Sequence, residues 1–149
     1  MKNISIIAFA LIAVCCSTEV KKSSVDETVT KEVLDHHVQT FKQNDLEVVM
    51  ADYVEESVLI TPDRTYKGLA EIRENFVQAF QALPTNGTTM TVTKSVVIGD
   101  VAYIVWKAVT PTLEFKYATD TFIIKDGKII SQTFAGDIVP LSNNPAPAN

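Results

Sequence analysis

The chain has 149 residues, 46% of them hydrophobic, with 13 basic against 18 acidic side chains and a formal net charge of −5. Mild acidity without a Lys/Arg cluster argues against a nucleic-acid partner. Both cysteines, Cys15 and Cys16, lie near the start, so the rest of the chain holds no disulfide, no Cys nucleophile and no thiolate metal ligand.

The chain opens with Met1-Lys2 and an almost wholly apolar run from Ile4 to Val14. That run has the character of a secretory signal and is too short to span a bilayer as a stable helix. Its end, Leu11-Ile12-Ala13-Val14-Cys15-Cys16, resembles a bacterial lipoprotein cleavage site, in which the new N-terminal Cys carries a lipid. Val14 precedes Cys15 and Cys15 precedes Cys16 where that motif prefers Gly, Ala or Ser. The lipidated residue is therefore Cys15 or Cys16, the alternative being an ordinary cleaved signal. Residues 1–16 thus form the expected signal peptide and residues 17–24 a polar linker. Residues 25–139 form one domain of about 115 residues, large enough for a single core. Residues 140–149, with Pro145-Ala146-Pro147, read as a disordered tail. The expected location is the periplasm or cell envelope, with the membrane touched only through the lipid.

From about Val25 to Asn44 the apolar spacing predicts a helix. Val29, Val33, Leu34, His37 and Phe41 share one face, opposite Lys31, Glu32, Asp35, Gln39, Lys42 and Gln43. Asp45 can cap a second, short helix through Met50. Ser57 to Thr61 reads as a strand stopped by Pro62-Asp63, with a short return strand from Arg64 to Lys67. Leu69, Ile72, Phe76, Ala79, Phe80 and Leu83 recur at helical spacing, so a third helix runs from Leu69 to Leu83 and ends at Pro84. Four strands follow: Thr89 to Ile98, Val101 to Thr110, Leu113 to Lys125 and Lys128 to Ile138. Gly99-Asp100 and Asp126-Gly127 are the hairpin turns, the second suited to a type I′ turn with two positive φ values.

This order predicts an α+β domain with helices packed on one face of a curved antiparallel sheet. The late strands carry apolar residues on both faces, as with Phe122 and Ile124 alternating with Thr121 and Ile123. A sheet that faces water on one side alternates more cleanly, so a homodimer through the second sheet face is expected.

Three stretches carry a family resemblance: His37 to Leu46, Asp52 to Pro62, and Tyr66 to Arg73, together with the hairpin from Thr119 to Phe134. The sequence resembles the NTF2-like superfamily, and more closely its SnoaL-like and ketosteroid-isomerase-like branch, which includes small bacterial proteins described only as nuclear transport factor 2 family proteins. The resemblance covers about Glu32 to Ile138. It implies a cone-shaped barrel with an apolar pocket under three helices, usually dimeric. This fold hosts many activities and also non-catalytic binders, so function has to be argued from the site.

His37 sits near the centre of the apolar helix face. It is either a core histidine satisfied by one hydrogen bond or a proton shuttle working near neutral pH. His36 lies 100° away at the polar boundary and reads as a surface residue. The two adjacent histidines have no i, i+4 companion, and no metal or cofactor is expected. Asp120 is a carboxylate inside an apolar strand, where burial is costly unless it is paired or neutralised. In ketosteroid isomerases the Asp at the matching position is held protonated and donates to the substrate oxyanion. The favoured reading here is a polar cluster of Asp120 with His37. Such a pair raises the His pKa and lowers that of Asp, so it excludes the neutral donor role. The resemblance also places Thr61 where those isomerases carry their carboxylate base, and threonine cannot act as that base. Tyr53, Trp106, Phe122, Gln132 and Phe134 are candidate pocket lining, with core packing as the alternative for each aromatic. Asp52 is assigned to the helix-to-strand junction.

Three functions follow from this reading. The first is an exported binder of a small lipophilic molecule. The second is an isomerase, cyclase or dehydratase using His37 as acid/base with Asp120. The third is a non-catalytic dimeric interaction module.

Overall fold

The computed structural model describes residues 26–141. The expected signal peptide with Cys15 and Cys16, the linker and most of the tail lie outside the described residues. Helix α1 spans Glu27–Gln43 and α2 spans Leu46–Met50. Strands β1 (Tyr53–Ile60) and β2 (Thr65–Lys67) precede α3 (Gly68–Ala82). The remainder is β3 (Thr89–Ile98), β4 (Val101–Val109), β5 (Leu113–Lys125) and β6 (Lys128–Pro140). The strand order is β2-β1-β6-β5-β4-β3 in one six-stranded sheet.

The helices begin where the sequence offers caps. Asp26 accepts from Thr28 N–H at the start of α1, and Asp45 accepts from Val48 N–H at the start of α2. Asn44 ends α1 at φ 54°, a left-handed conformation that Asn tolerates. Its side-chain amide donates to the carbonyls of Phe80 (3.3 Å) and Leu83 (3.1 Å), tying the end of α1 to the end of α3.

One helical position departs from the expected pattern. Val29, placed on the buried face, is 39% exposed, whereas Thr30 is 2% exposed. The Thr30 hydroxyl donates to Gly99 O at 2.9 Å, so the turn between β3 and β4 is docked on α1 through a polar contact. Leu34, His37 and Thr40 continue the buried stripe.

Strands β3 to β6 form the expected antiparallel meander, but β1 joins β6 in parallel, so the sheet is mixed. The three-residue strand β2 and then α3 follow β1, leaving its other side for the central strand β6. Pairing between β1 and β6 is irregular between Tyr53 and Val58. There the buried Ser57 hydroxyl accepts from Val54 N–H (2.9 Å) and donates to Ile129 O (2.7 Å), replacing ladder bonds. Strand β6 runs to Pro140, and Leu141 N–H donates to Thr112 O at 2.8 Å, so ordered pairing extends past the expected boundary at residue 139.

The core lies between the concave sheet face and the helices. Leu34, Ile72, Phe76, Leu59, Phe122 and Ile129 are among its most buried members. The Asp126-Gly127 turn has φ 51° and 73°, as a type I′ hairpin requires. A Cβ on Gly127 would meet nothing within 4 Å, so any cost of adding one is conformational. Gly127→Ala is expected to lower stability by about 1 kcal/mol with an unchanged m value in urea unfolding.

Candidate functional site

The alternation of β5 turns Ala118, Asp120 and Phe122 toward the helices. Register then decides what surrounds them. Asp120 lies opposite Ile104 on β4 and Phe134 on β6, while Trp106 pairs with Ala118 and Gln132 with Phe122. Trp106 and Gln132 therefore approach Asp120 diagonally from its two sides. Trp106 Nε1–H donates to Asp120 Oδ2 at 2.7 Å, and Gln132 Nε2–H donates to Asp120 Oδ1 at 2.7 Å. The hydroxyl of Tyr53 donates in turn to Gln132 Oε1. The chain Tyr53–Gln132–Asp120–Trp106 is buried throughout, and each donor in it points toward the carboxylate.

Burial pushes the Asp120 carboxyl above its ordinary value, against the lowering effect of the Trp106 and Gln132 hydrogen bonds and of a charge on His37. Burial, then the Asp120 and Asp52 charges, hold the Tyr53 phenol well above its usual range. Tyr53 is thus a fixed donor.

The expected pair of His37 with Asp120 does not form. Asp120 is satisfied by Trp106 and Gln132, and His37 turns its Nδ1 to Asp52 Oδ2 at 3.1 Å. The other oxygen of Asp52 accepts from His36 Nδ1–H at 2.7 Å, so one carboxylate holds both histidines. His36 is a surface residue, with its side chain 47% exposed, yet it is anchored. Asp52 still serves the junction, because its carbonyl accepts from Ile129 N–H at 2.8 Å. Helix α2 is only five residues long, and it returns the chain so that residue 52 reaches residues 36 and 37. Sequence reasoning missed this partner. The available signal was a carboxylate next to a predicted inward-facing tyrosine, soon after two adjacent histidines.

The His37 ring is caged edge-on by Tyr53, Phe76 and Phe122 at centroid distances of 5.7, 5.8 and 5.2 Å. With Nδ1 donating to Asp52, Nε2 is left as the acceptor. His37 borders a cavity of about 680 Å³ under the sheet. Asp120, Trp106, Phe122, Gln132 and Phe134 line the same space, and Thr61 stands at its edge. Tyr53 does not line it: its hydroxyl is spent on Gln132 and its ring on His37 and Phe76. Thr61 binds its own turn, its hydroxyl donating to Arg64 O at 3.0 Å. Chemically, the site offers an imidazole oriented by a carboxylate, and a second carboxylate fixed by neutral donors in an apolar space.

The raised Asp120 value fixes the sign of a pH effect. Its contribution to stability is fully present below the ordinary Asp pKa and is lost as pH rises through the raised value. The stability difference between wild type and Asp120→Asn is expected to move in favour of wild type on acidification. Urea unfolding of both proteins across pH 4–8 measures it, and a pH-independent difference contradicts the assignment.

Three solved structures illustrate the relationships of the fold. SalBIII, an epoxide hydrolase/cyclase-like enzyme of pyran ring formation in the polyether salinomycin, is 20% identical, with a TM-score of 0.66 over 78% of this chain and 98% of that one. A proposed polyketide cyclase from Sinorhizobium meliloti is 20% identical, with a TM-score of 0.61 over 74% and 99%. A proposed ketosteroid isomerase from Kribbella flavida is 17% identical, with a TM-score of 0.62 over 81% and 84%. No curated protein matches the sequence. The SnoaL-like domain family matches residues 34–132, more than half of the chain and nearly all of the residues that build the cavity. The chain therefore belongs to the SnoaL-like domain family, on an NTF2-like fold.

Proposed function

We propose that this protein is an exported, lipid-anchored binder of a small lipophilic molecule, held in the cavity between the helices and the sheet. The observation that carries this reading is the cavity itself. About 680 Å³ of space is walled mainly by apolar side chains, among them Phe41, Leu59, Phe76, Phe115, Ile104 and Met90; its polar lining is His37, Asp120 and Gln132 together with Thr61, Asp63, Asn75 and Gln78. Pockets of this size and lining suit small apolar ligands oriented by few polar contacts. Thr61 in place of a carboxylate base speaks against ketosteroid-type proton transfer. Export and anchoring rest on the apolar run from Ile4 and on Cys15 or Cys16.

The same reading includes a dimer. Outer-face residues Tyr103, Val105, Thr121, Ile123 and Thr133 follow from the register, and they are uncharged. Light scattering on the eluting protein is expected to give twice the chain mass, and Tyr103→Lys is expected to give the monomer with an unchanged circular dichroism spectrum. A monomeric wild type would overturn the dimer.

One observation favours a second reading, that of an enzyme of the isomerase, cyclase or dehydratase type. The Asp52–His37 pair presents an imidazole to the cavity, in the arrangement that keeps a general base in one tautomer. In this reading His37 is the acid/base, Asp52 its positioning residue and Asp120 the second polar contact.

The test is native mass spectrometry of the protein purified from its source, followed by solvent extraction of whatever is bound. A co-purifying lipophilic molecule, absent from a cavity-filling Ala79→Phe variant, is the expected result. An empty wild-type protein that also fails to take up apolar probes would sink the binding reading. If the recovered molecule is altered on incubation, and His37→Ala retains affinity but stops the change, the enzyme reading prevails.

A further inference from the structure

On the reading that the cavity binds a lipophilic molecule, we propose that the molecule carries an amine, bound as its ammonium ion with Asp120 as counter-ion. Two carboxylates are buried in the domain, Asp52 at 7% exposure and Asp120 at 6%. They differ in what they touch. Asp52 meets two imidazoles, each able to carry a positive charge. Asp120 meets only the neutral N–H groups of Trp106 and Gln132. A carboxylate has about four acceptor positions, so roughly half of its capacity remains after those two bonds. Asp120 lies on the cavity wall, where a guest can reach the rest.

Among the described residues no Lys or Arg lines the cavity, and the further charged residue on its lining is another carboxylate, Asp63. The groups facing Asp120 are His37 from α1, Tyr53 from β1, Trp106 from β4 and Gln132 from β6. Among them only His37 can become cationic, and its Nδ1 is already engaged by Asp52. A protonated His37 would lie between two buried carboxylates, and the other imidazole, the half-exposed His36, is bonded to Asp52. An isolated buried charge is strongly disfavoured, whereas a hydrogen-bonded ion pair in the same place is tolerated.

The walls also suit a cation. Trp106, Phe115, Phe122 and Phe134 line the same cavity as the carboxylate; Phe115 stacks on Trp106 at a centroid distance of 5.3 Å and Phe134 lies 6.2 Å from it. Aromatic faces attract ammonium groups, and more strongly when water is excluded. A carboxylic acid or phosphate guest would place a second anion against Asp120. A neutral guest would leave the carboxylate without an ion partner. A lipophilic amine satisfies the apolar walls and the charge together.

The test uses three probes with one apolar skeleton: 1-adamantylmethylamine, 1-adamantanemethanol and 1-adamantanecarboxylic acid. Each is titrated into the purified protein at pH 7. Trp106, the one tryptophan of the sequence, reports binding by its fluorescence. The amine is expected to bind about tenfold or more tighter than the alcohol, with the acid weakest. Asp120→Asn is expected to remove the amine's advantage over the alcohol. If that variant does not fold, the wild-type series decides alone. Equal binding of amine and alcohol overturns the amine while leaving a lipophilic cavity. Tightest binding by the acid overturns it in favour of a protonated Asp120. No binding by any of the three overturns the lipophilic-binder reading as well.

Discussion

A carboxylate set beneath a curved sheet has to be met by donors, and in this domain those donors are side chains on the two neighbouring strands. Trp106 and Gln132 reach Asp120 only because β4, β5 and β6 are held in one register. A slip of one residue would send Asp120 to the outer face and bring Thr119 or Thr121 inward. The site therefore depends on the turns that set register. The Asp126-Gly127 turn fixes β5 against β6, and the turn at residues 110–112, where the Thr110 hydroxyl accepts from Leu113 N–H at 2.9 Å, fixes β4 against β5.

The second polar element is built differently. Asp52 reaches His36 and His37 because α2 is short and capped, not because strands align. One carboxylate thus orients one imidazole that faces the cavity and another that faces outward. Burying Asp52 is tolerable because both of its oxygens have partners that can carry charge. The domain keeps two buried acids under different conditions, one beside ionisable bases and one beside neutral amide and indole groups. That division makes Asp120 the group with unmet electrostatic demand.

Much of this was legible in the sequence. The apolar period of α1 and α3, the capping Asp45 and the Asp-Gly turn marked the elements, and β3 and β5 begin and end where the pattern predicted. Asp120 and His37 stood out as polar residues at apolar positions. Their partners did not, because a hydrogen bond between diagonal strand neighbours is set by register, which no local pattern reports. The parallel pairing of β1 with β6 was hidden for the same reason: more than 60 residues separate the two strands. Thr30 replaced Val29 in the buried stripe because a carbonyl of the distant turn at Gly99 needed a donor. Tyr53 was expected on the cavity wall and instead stands behind it, supporting Gln132.

The irregular start of β1 has a consequence for that support. Between Tyr53 and Val58 the chain advances five residues, while its partner on β6 advances only two, from Ile129 to Ser131. In an unbroken parallel ladder Tyr53 would lie beside Asp126, out at the hairpin turn. The extra residues draw it three positions along β6, about 10 Å at the usual rise per residue, and bring its hydroxyl within reach of Gln132. The bulge is a length adjustment in the chain, and Ser57, whose hydroxyl closes it from both sides, sets the reach of Tyr53 four residues before it.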